Sequence, residues 1–244
     1  MRAVERALIV LARAPVPGKV KTRLTEHLGP EQTARLYACF VRDTLAKLTA
    51  LPQTSVRVYH TPGPPEEVRA LESILPPGVP LRPQRGETFG DRLFNALADC
   101  AQYPQTVLVG TDSPTLPTGL VVQAFDALRD HEVVLGPATD GGYYLLGVRD
   151  ADPRLFQDIS WSTSVVFAQT VERCRELGLR QALLPPWYDV DEPDDLNFLR
   201  GHVLALEAAG GECPCPHTCA LLTELFAPLR TASNAETPRG KGAE

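Results

Sequence analysis

The 244-residue chain is 43% hydrophobic and 22% charged, which supplies enough apolar material for a large buried core and excludes a disordered polyelectrolyte. Its 24 Lys and Arg against 30 Asp and Glu give a net charge of -6, so there is no global basic field to hold duplex nucleic acid or an anionic membrane. Any anion must be met locally.

The apolar run at residues 7–12 is far short of the ~20 residues a membrane-spanning helix needs and reads as a first parallel strand covered on both faces. Ala12-Arg13-Ala14 only faintly imitates a signal-peptidase site, and a basic segment follows it, so a cytoplasmic protein is expected. Leu36, Phe40, Val41, Leu45 and Leu48 predict a helix over 30–50, and residues 56–59 alternate as a strand. Helical patterns at 66–75, 89–100, 120–129, 164–177 and 194–206 then alternate with strands near Leu81 and at 107–109, 133–136, 143–148 and 182–184. This rhythm predicts an α/β fold with a mostly parallel central sheet flanked by helices on both faces. One domain over 1–230 is expected, followed by a disordered tail over 231–244, where residues are small, polar and without periodicity.

Six cysteines in a chain of this size make no disulfide framework, and reduced thiols are expected. Cys213-Pro214-Cys215-Pro216-His217-Thr218-Cys219 has the residue types of a zinc site, but its ligands crowd into seven residues, which favours a structural or incidental role.

Six basic residues and one acid lie between Met1 and Arg23, and Arg13, Lys19, Lys21 and Arg23 follow the first strand directly. In an open α/β sheet that is the carboxyl edge, where ligands gather, and a local phosphate site explains the charge contrast. Both the P-loop and the Gly-x-Gly-x-x-Gly fingerprint are absent, so side chains rather than backbone amides must hold the phosphates. A solvated, salt-bridged loop is the alternative.

Asp112 ends the buried strand 107–109, and such an acid facing a basic loop suits Mg2+ or Mn2+ bridging phosphate oxygens, unless it only caps the next turn. In extended chain Asp189 and Asp191 point the same way and repel unless a cation lies between them, which makes them the second half of a metal site. Asp194 and Asp195 fit the first turn of the following helix.

Lys21-Thr22-Arg23-Leu24, Thr111-Asp112-Ser113-Pro114, the run from Gly136 through Asp140-Gly141-Gly142-Tyr143 to Gly147, and Asp189-Val190-Asp191-Glu192-Pro193 follow one another in a single order. In that order they resemble the bacterial group called transferase 1, rSAM/selenodomain-associated, also described as arsenosugar-biosynthesis-type glycosyltransferases, of the GT-A nucleotide-diphospho-sugar transferase superfamily. The match runs from about residue 8 to residue 199. Molybdenum-cofactor and phospholactate guanylyltransferases are similar more distantly. The resemblance implies a GT-A fold, a nucleotide over the first strands, and a divalent ion on Asp112 with Asp189 or Asp191 as the second acid. The Gly-Gly-x-x-x-Arg loop usual in sugar nucleotidyltransferases is missing, which counts against nucleotidyl transfer.

Paired glycines let a ligand approach the backbone, so Gly141, Gly142 and Tyr143 are expected at the donor sugar or acceptor, with Asp140 either a general base or a turn residue. Trp161 is expected to line the acceptor side, while Ser162 and Thr163 read as helix caps. The leading expectation is metal-dependent glycosyl transfer from a nucleoside-diphosphate sugar to an acceptor hydroxyl, with Lys21 and Arg23 stabilising the departing charge. Nucleotidyl transfer from an NTP is the alternative, and a noncatalytic nucleotide-binding subunit the third reading.

Overall fold

The structure, a computed structural model, describes residues 6–226; the expected tail over 231–244 and both ends of the expected domain lie outside the described residues. The chain runs β1 (Arg6–Ala12), α1 (Thr22–Leu28), α2 (Pro30–Thr49), β2 (Thr54–His60), α3 (Pro65–Glu72), β3 (Leu81–Pro83), α4 (Phe89–Ala98) and β4 (Thr106–Val109). It continues through α5 (Thr118–Ala127), β5 (Val133–Pro137), β6 (Tyr143–Val148), α6 (Val166–Glu176), β7 (Gln181–Leu183), α7 (Pro193–Ala208) and α8 (Pro216–Phe226).

The strands form one seven-stranded sheet in the order β3-β2-β1-β4-β6-β5-β7. Only β6 runs against its neighbours, because the five residues between β5 and β6 are enough for a hairpin and too few for a crossover. Strand β1 alternates as the pleat requires. Leu8 and Val10 pack on one face with Phe40 of α2, Phe125 of α5 and Leu199 of α7, while Ala7 and Ile9 pack on the other with Leu97 of α4 and Cys174 of α6. Fully burying each of the Leu, Val, Ile and Phe side chains contributes roughly 1.5–3 kcal/mol, which is why a continuous apolar run forms the central strand. No helix among the described residues is long and apolar enough to cross a membrane.

Two helices were not expected from the periodicity. Helix α1 is seven residues long and buries only Leu24, too little apolar stripe to read. Helix α8 follows the Cys-Pro-Cys-Pro segment and is docked by a charge: Asp43 of α2 accepts from the His217 N–H at 3.0 Å, the Thr218 N–H at 2.8 Å and the Thr218 hydroxyl at 2.7 Å. A carboxylate at orphan amides of a helix start is favourable by charge and by hydrogen bonding. The expectation of six reduced thiols also meets an exception, since Cys213 and Cys219 are joined as a disulfide while Cys39, Cys100, Cys174 and Cys215 are free.

Candidate active site

Strand direction places the site. β1 and β4 pair in parallel, and β5, antiparallel to β6 as β4 is, runs with them, so the segments leaving all three emerge on one edge. Asp112 follows β4, Asp140 follows β5, and Asp189 and Asp191 lie on the arm after β7, which meets that edge through the Ala138–Trp187 bridge. A cleft of about 670 Å3 opens there, and all four acids line it together with Arg13, Lys21 and Arg23.

Hydrogen bonds fix the frame. The Val190 N–H donates to Asp112 O at 2.9 Å, so the two acidic segments are locked backbone to backbone. Tyr37 of α2 accepts from the Arg13 N–H at 2.8 Å, and its hydroxyl lies 2.9 Å from Thr111 Oγ1, tying the loop after β1 to the loop after β4. Burial raises the Tyr37 pKa to about 12, so it remains a neutral hydroxyl. Lys47 of α2 donates to the carbonyls of Pro114 and Leu116, at 2.6 and 3.1 Å. Asp195 Oδ2 accepts from the Asp191 and Glu192 N–H groups at 3.0 and 2.8 Å, the helix-start role expected of it.

Lys21 sits at the centre. Its side chain is only 4% exposed, and its ammonium pairs with Asp112 and with Asp191, the latter at 2.6 Å. Its backbone is left-handed, φ 46°, an unfavourable state for a residue with a side chain that the ion pairs hold in place. Burial alone would favour the neutral amine, but Asp112 and Asp191 outweigh it and raise the Lys21 pKa. Burial opposes the charge of Asp191 as well, yet Lys21 holds its pKa below the ordinary value. Asp189 behaves oppositely: burial, then Asp140 and Asp191 as like charges, raise it to about 7.

The three acids whose oxygens lie within 4.8 Å of one another are Asp140, Asp189 and Asp191. This differs from the expected trio of Asp112, Asp189 and Asp191, because Asp112 reaches Asp191 through the Lys21 ammonium while the β5–β6 hairpin brings Asp140 in. Asp140 also accepts from the Gly142 N–H at 2.7 Å, a turn bond. The donor set is hard oxygen throughout and fits Mg2+ or Mn2+.

Other expected residues scatter. Gly142, Tyr143 and Trp161 line the cleft, Trp161 edge-on to Phe89 with ring centres 5.2 Å apart. The Tyr143 hydroxyl is buried without a hydrogen-bond partner among the described residues. Gly141 does not face the cleft: at φ 91°, a Cβ there would stand 2.1 Å from Ser164 O, so this glycine admits the loop before α6 rather than a ligand. Lys19 does not line it either; it pairs with Glu67 of α3. Ser162 and Thr163 are not caps, for α6 begins at Val166 without a side-chain cap and the Thr163 hydroxyl donates to Ser160 O at 2.6 Å. Tyr37, Lys47 and Arg92, which lines the cleft from α4, carry no local motif and were not anticipated.

Residues 44–163 match the model of a family described as an uncharacterized protein conserved in bacteria, DUF2064. Over 227 residues the chain is 27% identical to the 2-phospho-L-lactate guanylyltransferase of Natrialba magadii, covering 89% of this chain and 92% of that one. Over 199 residues it is 30% identical to the 3-phospho-D-glycerate guanylyltransferase of Phenylobacterium zucineum, covering 79% and 85% respectively. The chain belongs to the DUF2064 family. A solved relative from Desulfovibrio desulfuricans G20, assigned to the nucleotide-diphospho-sugar transferases, superimposes with a TM-score of 0.82 at 35% identity, covering 90% of this chain and 94% of that one. The fold shared with this DUF2064 chain is therefore the nucleotide-diphospho-sugar transferase fold, as expected.

Proposed function

We propose that the protein is a nucleotidyltransferase that moves the NMP unit of a nucleoside triphosphate, GTP by analogy with its relatives, onto a phosphorylated hydroxy acid. The observation that carries this is near-full-length similarity to two guanylyltransferases whose named substrates share a phosphate and a carboxylate. It reverses the order expected from the missing glycine-rich loop. In this chain the charge for a triphosphate comes from Lys21 and Arg23 instead of backbone amides.

Lys21 and Arg23 bind the triphosphate, and Arg92, beside Phe89 and Trp161, meets the acceptor's anionic groups. An acceptor phosphate oxygen attacks the α-phosphorus as the α–β bridging P–O bond breaks and pyrophosphate leaves. A phosphate is already ionised near pH 7, so the nucleophile needs no general base. Asp140 is thereby assigned to cation binding with Asp112, Asp189 and Asp191. A divalent ion held there would neutralise charge on the phosphates. Within the family, the four ordered motifs support reading the chain as one of the rSAM/selenodomain-associated transferases. The expected protein is cytoplasmic and takes small molecules only.

Glycosyl transfer is the second reading, favoured by the 35% identity to the solved sugar-transferase relative. Purified protein with Mg2+ or Mn2+, a panel of NTPs and NDP-sugars, and 2-phospho-L-lactate or 3-phospho-D-glycerate separates the two. Pyrophosphate from an NTP supports our reading; nucleoside diphosphate released from a sugar donor, without pyrophosphate from any NTP, overturns it. Binding of donors with no release of either product returns the noncatalytic reading.

A further inference from the structure

The segment before α8 gathers three sulfurs away from the cleft. Sγ atoms of Cys213, Cys215 and Cys219 all lie within 4.8 Å of one another, Cys215 buried and the other two half-buried. The sequence spacing looks too crowded for this, but the helix start resolves it. Cys219 lies one turn beyond Cys215 and its N–H donates to Cys215 O at 2.9 Å, so the two sulfurs share a face. Their separation is 3.9 Å. Sulfurs bound tetrahedrally at ~2.3 Å to one Zn2+ are about 3.8 Å apart. Pro214 and Pro216 flank Cys215 and limit the backbone freedom lost on assembling the three.

We propose that Cys213, Cys215 and Cys219 form a three-thiolate site for a soft divalent ion, Zn2+, that fastens the start of α8 to the segment leading into it. Two surrounding features fit. The Asp43 carboxylate is committed to His217 and Thr218 and is not drawn in as a ligand. The Cα atoms of Cys213 and Cys219 stand 7.0 Å apart, beyond the usual span of a disulfide, and an ion bonded to both sulfurs bridges that backbone separation without closing it. Half-burial of the two outer cysteines leaves the fourth position to solvent. On binding, the thiols lose their protons to solvent and metal–sulfur bonds form, with no electrons transferred. The disulfide is the competing two-electron oxidised state, which removes two of the three ligands.

Sulfur selects against Mg2+ and Mn2+, so this site is chemically separate from the carboxylates of the cleft. The test is to strip the full-length protein of metal under reductant and titrate it with Co2+. A thiolate-to-cobalt charge-transfer band, displaced by Zn2+ but not by excess Mg2+, is expected. Outer-sphere changes alone weaken metal sites 10- to 100-fold, so Cys213→Ser and Cys219→Ser should each weaken Co2+ binding by more than about tenfold. Cys174→Ser, a free buried cysteine on the other face, should leave it unchanged. Zn2+ should also raise the thermal midpoint of the native chain but not of either outer variant, both of which keep the buried Cys215 and so the packing beneath α8. Absence of the band in fully reduced protein, or an unchanged band in the outer variants, overturns the site.

Discussion

The ammonium of Lys21 donates to Asp191 Oδ1 at 2.6 Å, joining residues 170 positions apart in the chain. Because Lys21 also pairs with Asp112, one side chain supplies the positive charge that two acidic segments require. A divalent ion would compete with it for the same oxygens. Lys21→Met should therefore increase the rise in thermal midpoint produced by Mn2+, compared with the native chain. An equal rise in both proteins counts against shared carboxylates. The variant should lose ~10²- to 10³-fold in turnover. It should also lose roughly 1–2 kcal/mol of stability, less than the 3–5 kcal/mol of a fully buried pair, because both acids face solvent.

Arg23 is the contrasting case, 69% exposed and paired with Glu192 at 3.2 Å. Arg23→Ala should leave folding within about 0.5 kcal/mol of the native chain. Losing a charged hydrogen bond to a phosphate should weaken GTP binding about tenfold in calorimetric titration. Unchanged affinity would return this arginine to a solvated surface role.

Asp112→Asn tests the strand-end acid. It keeps the shape but removes the charge, so the added thermal stabilisation that Mg2+ or Mn2+ gives together with nucleotide should disappear. Stabilisation that persists undiminished would place the ion on Asp140, Asp189 and Asp191 alone.

Asp189 predicts a pH dependence in metal-free protein. Its pKa is raised to about 7 from an ordinary carboxylate value near 4, so over that window the folded state binds a proton that the unfolded state does not. Its contribution to stability is thus greatest below the unfolded pKa and is lost as pH rises through about 7. Asp189→Asn should flatten this slope in urea melts performed with chelator between pH 5 and 8. An unaltered slope would assign the titration to another group.

Gly141→Ala should destabilise the fold, although Gly141 itself does not line the cleft. The positive φ and the clash with Ser164 O together predict a loss of roughly 2–4 kcal/mol, read as a lowered denaturation midpoint. A neutral substitution would show that the loop before α6 yields easily.

What could be read from the chain followed strong local signals. The run at 7–12 and the acid after 107–109 were legible because buried strands and their ends are written in adjacent residues. Lys21 was legible as a candidate, but its burial was not, since its partners lie 91 and 170 positions away. Gly141 read as room for a ligand because its neighbour Ser164 is invisible without the tertiary fold. Lys19 looked equivalent to Lys21, but Lys19 pairs with Glu67 while Lys21, itself left-handed at φ 46°, pairs with Asp112 and Asp191. Helix α8 escaped notice because Asp43, which docks it, stands far upstream on α2.

The bond from the Val190 N–H to Asp112 O ties the two acidic segments that Lys21 bridges to each other. Freeing the Asp112 and Asp191 oxygens from the ammonium then requires no movement of those segments, only rotation about the single bonds of one lysine side chain. Such rotations run on picosecond to nanosecond scales when exposed and slow when an ion pair must first break, whereas lids move in microseconds to milliseconds. Exchange of the ammonium for another cation on those oxygens is thus timed by the lifetime of two ion contacts, which ionic strength rather than solvent viscosity would shorten.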